Sequence, residues 1–500
     1  MLASAPLLLH SREQTRALDA ALIASGLSGL ELMQRAADAA WTVVQQCWPR
    51  CGRMTVLCGS GNNAGDGYLL ARLAHAAGWQ VSVLTLSPPE RLRDDAALAW
   101  QQACAAGIVA APWCAGSELA GVVVDAMLGT GLRGQLRALY AEAIAAVNQA
   151  DHPVLALDIP SGLDADCGVP LGLAVCATAT VTFISVKPGL LTGQGPEYCG
   201  RLEFAPLVAQ LPESVPAVME HLLPERWLHC LPPRQRAAHK GHFGHLLLVG
   251  GGPGMGGAIM LAAEAALYAG AGKVSVATAA EHVAPMLARQ PEVMVHAVAQ
   301  PSELQALLLE ADAVVVGPGL GKSTWAQQCL DACLALEKPR VLDADALNLL
   351  AAGSVLPTLG AEVVITPHPA EAARLLEIAT AEVSQDRLGA ARQLVEQLGC
   401  QVVLKGAGSL IAGPQADALL PALCSAGNPG MAVGGMGDVL SGLLGALLAQ
   451  RVPAAQAARY AVLVHALAGD RLAQAVGEVG LRASEMAPVI RSILNQRGAV

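Results

Sequence analysis

Short apolar runs recur along the chain, each followed by a glycine- or proline-bearing turn and then a longer stretch with helical spacing. In the first half the runs are Met54–Cys58, Val81–Leu86, Val122–Asp125, Val154–Asp158 and Ala179–Ile184. This alternation predicts βαβ units and a parallel sheet, with right-handed crossovers placing helices on both faces. Ahead of them, Ser11–Gly26 and Gly29–Cys47 have amphipathic helical spacing, with Ser11 and Glu13 supplying cap character to the first. Between about Leu207 and Arg236 the pattern dissolves around Pro212, Pro216, Pro224, Pro232 and Pro233, with no sustained strand. From His245 the alternation restarts, with strands expected at His245–Val249, Val274–Ala277, Ala313–Val316, Arg340–Asp343, Val363–Thr366 and Gln401–Lys405. From Gly437 onward the spacing is wholly helical, and no short-period repeat is present. The expected organisation is an α/β protein of two doubly wound domains, residues 1–217 and 236–500, joined by a linker at 218–235.

Composition narrows the function classes. With 500 residues, 53% hydrophobic and only 14% charged, the chain exceeds one ordinary core and belongs to well-buried α/β proteins. A net charge of −10 without Lys/Arg clusters argues against nucleic acid or an anionic membrane surface as partner. The longest apolar candidate, Met255–Gly272, is interrupted by Glu264 and rich in glycine, so no membrane span is expected. Met1–Leu9 has an apolar patch but no basic leader or cleavage site, and is not read as a signal peptide. Thirteen scattered cysteines without a Cys-x-x-Cys pair read as reduced thiols in a cytoplasmic protein. Alanine-rich helices suggest buried subunit contacts, hence a homo-oligomer.

The candidate chemistry lies at strand ends. After the first strand comes Gly59-Ser-Gly61-Asn62-Asn63-Ala64-Gly65-Asp66-Gly67, which satisfies the Gly-x-Gly-x-x-Ala spacing of a Rossmann-like dinucleotide loop. Asn62, Asn63 and Asp66 are unusually polar for such a loop, and no acid ends the second strand at Leu86. Asp125 is followed by Gly129-Thr130-Gly131-Leu132-Arg133-Gly134, and Asp158 by Ile-Pro160-Ser161-Gly162. In an open parallel sheet these loops meet at one crevice. Asn63, Asp125 and Ser161 offer oxygen ligands for a hard cation, and Asp158 is a candidate proton carrier. Each acid alone reads as an N-cap or turn residue; the three loops together favour a site. The motifs Gly-Asn-Asn-x-Gly-Asp-Gly, Asp-Ala-Met-Leu-Gly-Thr-Gly and Asp-Ile-Pro-Ser-Gly closely resemble the NAD(P)H-hydrate epimerase family over roughly the first two hundred residues. The resemblance implies interconversion of the R and S forms of NADHX and NADPHX, the hydrated forms of the reduced nicotinamide cofactors. It further implies hydrate contacts from Asn62, Asn63, Ala64, Gly65, Asp66, Gly129, Thr130, Gly131, Leu132, Arg133, Gly134, Gln135, Tyr140 and Asp158, and K+ held by Asn63, Asp125 and Ser161. Ala64 stands where that family usually has glycine, a methyl that would narrow the loop.

In the second half, Asn428–Gly442 places Asp438 after a glycine turn and before the apolar run Val439–Leu448. Gly434, Gly435 and Gly437 leave backbone N–H groups free to converge on an anion at a helix N-terminus, and Asp438 beside that anion fits a base for an attacking hydroxyl. Gly317-Pro-Gly319-Leu-Gly321-Lys322-Ser323 imitates a phosphate loop, but the required first glycine falls on Val316. Thr366-Pro-His368-Pro-Ala-Glu371 and Lys405-Gly406-Ala407-Gly408-Ser409 follow two further strands and complete a phosphoryl-transfer site without a P-loop, of ribokinase-like kind. Together these motifs resemble the ADP-dependent NAD(P)H-hydrate dehydratases across nearly the whole second half. The resemblance implies hydrate contacts from Ala258, Gly319, His368 and Asp438, and nucleotide contacts from Lys405–Ser409 and Gly437. It also implies Mg2+, and ADP as co-substrate giving AMP and phosphate; the residues themselves do not separate ADP from ATP. The reading that follows is a bifunctional metabolite-repair enzyme. Two alternatives remain: a ribokinase-like small-molecule kinase with a regulatory dinucleotide-binding domain, and a nucleotide-sensing scaffold.

Overall fold

The computed structural model describes residues 6–228, 231–353, 355–417 and 419–496; most of the chain start weighed as a leader lies outside these residues. The chain forms two compact units, Leu8–Met219 and, in the main, Glu220–Val500.

The first unit opens with α1 (Arg12–Ala24), whose N-cap Ser11 accepts from Gln14 N while the Gln14 side chain bonds back to Ser11 N. The reciprocal partner of the cap is Gln14, and Glu13 is the acid of the first turn. After α2 (Gly29–Cys47) come β1 (Arg53–Cys58), α3 (Asn62–Ala76), β2 (Gln80–Thr85), α4 (Asp94–Ala105), β3 (Ala110–Pro112), β4 (Val122–Ala126), α5 (Ala138–Gln149), β5 (Val154–Leu157), β6 (Ala179–Phe183) and β7 (Arg201–Ala205). The sheet order is β3-β2-β1-β4-β5-β6-β7, parallel throughout. Strands covered on both faces must be apolar on both, and β4 and β5 are buried at every residue. From β1 the chain winds first toward β3, then from β4 toward β7, so the carboxyl ends of β1 and β4 flank a switch point. Gly59 lets the two loops meet there, since a Cβ on it would lie 1.8 Å from Met127 O.

The second unit contains β8 (Met219–His221), α6 (Pro224–Trp227), β9 (His245–Val249), α7 (Gly256–Tyr268), β10 (Lys273–Thr278), β11 (Met294–Ala297), β12 (Ala313–Val316), α8 (Thr324–Leu334), β13 (Arg340–Leu342), α9 (Asp345–Ala351), β14 (Val363–Ile365), α10 (Pro369–Leu376), α11 (Arg387–Leu398), β15 (Gln401–Leu404), β16 (Ser409–Ala412), β17 (Ala422–Cys424), α12 (Met436–Ala449), α13 (Ala454–Val476) and α14 (Met486–Leu494). These strands run β8-β17-β16-β15-β14-β13-β12-β9-β10-β11, with β16 antiparallel to both its neighbours. The proline-rich stretch is more structured than its composition suggests. β8 pairs with β17, and Trp227 of α6 is buried with its indole N–H on Glu220. α12 packs so closely on α7 that a Cβ at Gly442 would lie 2.0 Å from Ala262 O.

Among the described residues no helix is long and apolar enough to cross a membrane.

Candidate active sites

In the first unit, a cavity of about 580 Å³ opens over the switch point. Asn62, Asn63, Gly129, Thr130, Gly131, Leu132, Arg133, Gln135, Tyr140 and Asp158 line it, as do Arg16 and Asp19 of α1. Ala64, Gly65, Asp66 and Gly134 do not. Ala64 is fully buried in the hydrophobic core, so its methyl packs inward and leaves the loop as wide as glycine would. Gly65 faces Met33 and Ala96.

Beside the cavity, Asp125 is completely buried and accepts from Ser161 N (2.7 Å), Ser161 Oγ (2.6 Å) and Met127 N (3.2 Å). Ser161 Oγ also lies against the Leu128 peptide, whose carbonyl accepts from Asn63 Nδ2 at 3.1 Å. Asn63 and Ser161 thus meet at Leu128, with Asp125 on Ser161, and Asn63 Oδ1 is buried with no hydrogen-bond partner among the described residues. Burial raises the Asp125 carboxyl to about 6, with the Ser161 and Met127 donors opposing.

Asp158 follows β5 with a left-handed backbone (φ 66°), a conformation costly for a residue with a Cβ and one that clusters at functional sites. Its carboxylate forms an ion pair with Lys187 Nζ, a fully buried ammonium that also donates to Thr182 Oγ1 and Phe183 O at 3.0 Å. Burial, then the charges of Asp158 and Asp19, hold the buried Asp66 carboxyl well above the usual carboxylate range. Lys187 escaped the sequence reading because it lies beyond β6, outside the glycine-rich loops.

In the second unit the carboxyl edges of β13, β14 and β15 converge on the start of α12. Lys405 Nζ donates to Asp343 Oδ1 at 2.8 Å and lies 3.9 Å from Glu371 Oε2. Ser441 Oγ donates to Asp343 Oδ2 at 2.7 Å. Gly437 sits over this pair, its virtual Cβ 3.3 Å from Lys405 Nζ and 3.6 Å from Asp343 Oδ2. Burial would raise Asp343, but the Lys405 ammonium and donors from Lys405, Ser441 and Thr366 bring it below its ordinary value. Asp438 goes the other way: burial, then the charge of Asp343, with Asp345 adding and Lys405 opposing, lifts it to about 7. It lies within the first turn of α12, rather than ahead of the helix.

His368 caps α10, accepting from Ala370 N at 3.1 Å, while Glu371 Oε2 accepts from His368 N at 2.8 Å. The backbones of Gly319 (φ 56°) and Ala258 approach so closely that a Cβ on Gly319 would lie 3.1 Å from that of Ala258. Three polar residues of this region were missed: Asp343 and Asp345, on either side of Ala344 (φ 49°), and Arg387. The Arg387 guanidinium donates to Gly408 O at 3.2 Å and to Leu404 O and Lys405 O at 3.4 Å, bracing the 405–409 turn from beneath. An Asp-x-Asp at a strand end was a legible signal; an arginine early in a later helix was not.

Residues 246–491 match the NAD(P)H-hydrate dehydratase family and residues 29–189 the YjeF-related protein N-terminus. The chain is 45% identical to the bifunctional NAD(P)H-hydrate repair enzyme Nnr of Coxiella burnetii, over 97% of this chain and 99% of that one. It belongs to the bifunctional NAD(P)H-hydrate repair enzyme family. The Escherichia coli member is 43% identical, across 94% of this chain and 90% of that one. Among solved structures, a ribokinase-like superfamily protein of Enterococcus faecalis is similar (TM-score 0.51, 32% identity, 55% of this chain and 95% of that one). So is the ADP/ATP-dependent NAD(P)H-hydrate dehydratase of Bacillus subtilis, co-crystallised with ATP and Mg2+ (TM-score 0.50, 29% identity, 55% and 96%). The fold of this repair-family chain is thus α/β, with a Rossmann-like first unit and a ribokinase-like second unit.

Proposed function

We propose that the chain interconverts the R and S forms of NADHX and NADPHX in its first unit, and in its second dehydrates the S form to NAD(P)H using ADP. The observation that carries the dehydratase is Asp438: a carboxyl lifted to about 7 at the N-terminus of α12, beside the Lys405–Asp343 pair. A base near neutrality can take the proton of the hydrate hydroxyl as it attacks the terminal phosphate. The N–H groups of the first turn, including Gly437, and the Lys405 ammonium favour the charge on the transferring group. Loss of phosphate then restores the ring double bond. Ala258, Gly319 and His368 position the hydrate, and Lys405, Gly406, Ala407, Gly408 and Ser409 the nucleotide, with Arg387 supporting that turn from below. Mg2+ would be carried in on the nucleotide, where it would neutralise phosphate charge.

In the first unit, Asp158 is the proton carrier, and the cavity residues named above bind the hydrate. The orphaned Asn63 Oδ1, the buried Asp125 carboxylate and Ser161 Oγ suit K+, a hard cation with oxygen ligands that would anchor the loops around the substrate. We place the enzyme in the cytoplasm as a homo-oligomer.

The test supplies both epimers of NADHX, Mg2+, K+ and either ADP or ATP, and follows the near-ultraviolet absorbance of reduced nicotinamide. Full recovery with free phosphate released is expected, and with ADP in preference to ATP. A stable phosphorylated product would return the kinase reading.

A further inference from the structure

A carbon that bears a hydroxyl next to a ring nitrogen inverts when the hydroxyl leaves from one face, the nitrogen lone pair forming C=N, and water returns to the other. A carboxylate fixed at one strand end serves one face, so the chemistry asks for a second acid–base group on another wall. We infer that Asp19 of α1 is that group, a catalytic residue acting with Asp158 on the hydroxyl-bearing carbon of the hydrate. This rests on the reading of the cavity as the epimerase site with Asp158 as one proton carrier.

Asp19 lines the same cavity as Asp158 but arrives on a different element. Its position is fixed, because α1 is tied to the site loops: Arg12 N donates to Asp166 Oδ1 (2.7 Å), Arg12 Nη1 to Leu132 O (3.1 Å) and Arg16 Nη2 to Thr130 O (3.3 Å). Asp158 is committed to the Lys187 ammonium, whereas Asp19 has no hydrogen-bond or ion-pair partner among the described residues. The charged groups around it are Asp158 and Lys187 behind the strand ends, the neighbouring Asp66, and Arg16 one turn back on α1. Burial first, then the charge of Asp158, lifts Asp19 to about 6, with Lys187 opposing. A carboxylate paired to Lys187 and an unpaired carboxyl on another element of the same cavity supply the two acid–base groups that the inversion uses.

The step balances without a redox partner. The protonated carboxyl gives its proton to the hydroxyl, the C–O bond breaks to release water, and the ring nitrogen's lone pair forms a C=N bond. Water then adds to the opposite face, passing its proton to the ionised carboxylate while the electron pair returns to nitrogen. The reverse epimerisation exchanges the two roles.

The test uses the full chain without nucleotide, so that only epimerisation proceeds, with the R and S forms separated by chromatography. Asp19→Asn, an isosteric change, is expected to lower kcat by about 100-fold or more, with KM unchanged. It should also lose the limb near pH 6 from the kcat/KM profile, and Asp19→Glu should restore part of the rate and that limb. An Asp19→Asn enzyme that keeps its kcat, keeps the limb, or changes only KM overturns the inference. Asp158→Asn run alongside separates the two failures. Loss in Asp158→Asn with full activity in Asp19→Asn overturns this inference alone; the opposite pattern overturns the reading of Asp158 and the pairing with it.

Discussion

At the residue scale, the second unit turns on two acids that feel one ammonium and are pushed in opposite directions. Asp343 spends both oxygens on Lys405 and Ser441 and falls below its ordinary value, while Asp438 rises to about 7. We read the first as holding the lysine in place and the second as the group that takes the proton. A base must be ionised to act, so kcat/KM for dehydration should fall about tenfold per pH unit below about 7 and level off above it. Asp438→Asn should remove dehydration by a factor of about 10² to 10⁴ and leave epimerisation untouched. Stability moves with the opposite sign. The folded Asp438 holds its proton to higher pH than the unfolded chain, so its contribution is present at acid pH and lost as pH rises through about 7. Above that pH the Asn variant should therefore melt higher than the parent in calorimetry; equal melting temperatures at pH 8 and a flat rate profile would refute the assignment.

At the element scale, the apolar runs between glycine turns placed the interior parallel strands from Arg53–Cys58 to Gln401–Leu404 to within a residue or two, because such strands are buried on both faces and so read as unbroken apolar stretches. Ser409–Ala412 and Ala422–Cys424, interior to the second sheet but paired antiparallel to each other, were not placed, and the edges also stayed hidden. Ala110–Pro112, Arg201–Ala205 and Met294–Ala297 are short, partly exposed and carry polar residues or proline. Met219–His221 hid behind prolines, since pairing with Ala422–Cys424 depends on a partner two hundred residues away. The site was legible where backbone geometry demands a residue type, as in the glycine loops at 59–67 and 434–437. It was illegible where a side chain arrives from elsewhere, as with Asp19, Lys187 and Arg387. Packing gives this scale its own prediction. Gly442→Ala on α12 would drive a methyl into the Ala262 backbone of α7. Overpacking of this kind costs about 1–3 kcal/mol, and because Asp438 lies one turn before Gly442 on α12, the variant should lose both thermal stability and dehydration rate. Unchanged melting and unchanged turnover would mean that the two helices separate more easily than their contact suggests.

At the scale of the whole molecule, one chain carries two chemistries that share a substrate but no residues. The residues we assign to the epimerase lie between Asp19 and Lys187, those we assign to the dehydratase between Ala258 and Asp438, and each set falls within its own compact unit. Function should therefore divide cleanly. Given a mixture of R and S hydrate with ADP, Mg2+ and K+, the parent enzyme should return all of it as reduced cofactor, since the R form drains through the S form. Asp158→Asn in the full chain should give the same initial rate of absorbance increase but stop at the amount of S form supplied. Exchanging K+ for an ion too small for the Asn63, Asp125 and Ser161 oxygens should slow the second phase in the same way, leaving the first intact. Asp438→Asn should give no absorbance at all while the two epimers still equilibrate. Loss of both activities in either variant would mean that the two units depend on each other for their chemistry, and the division argued from their separate residue sets would fail.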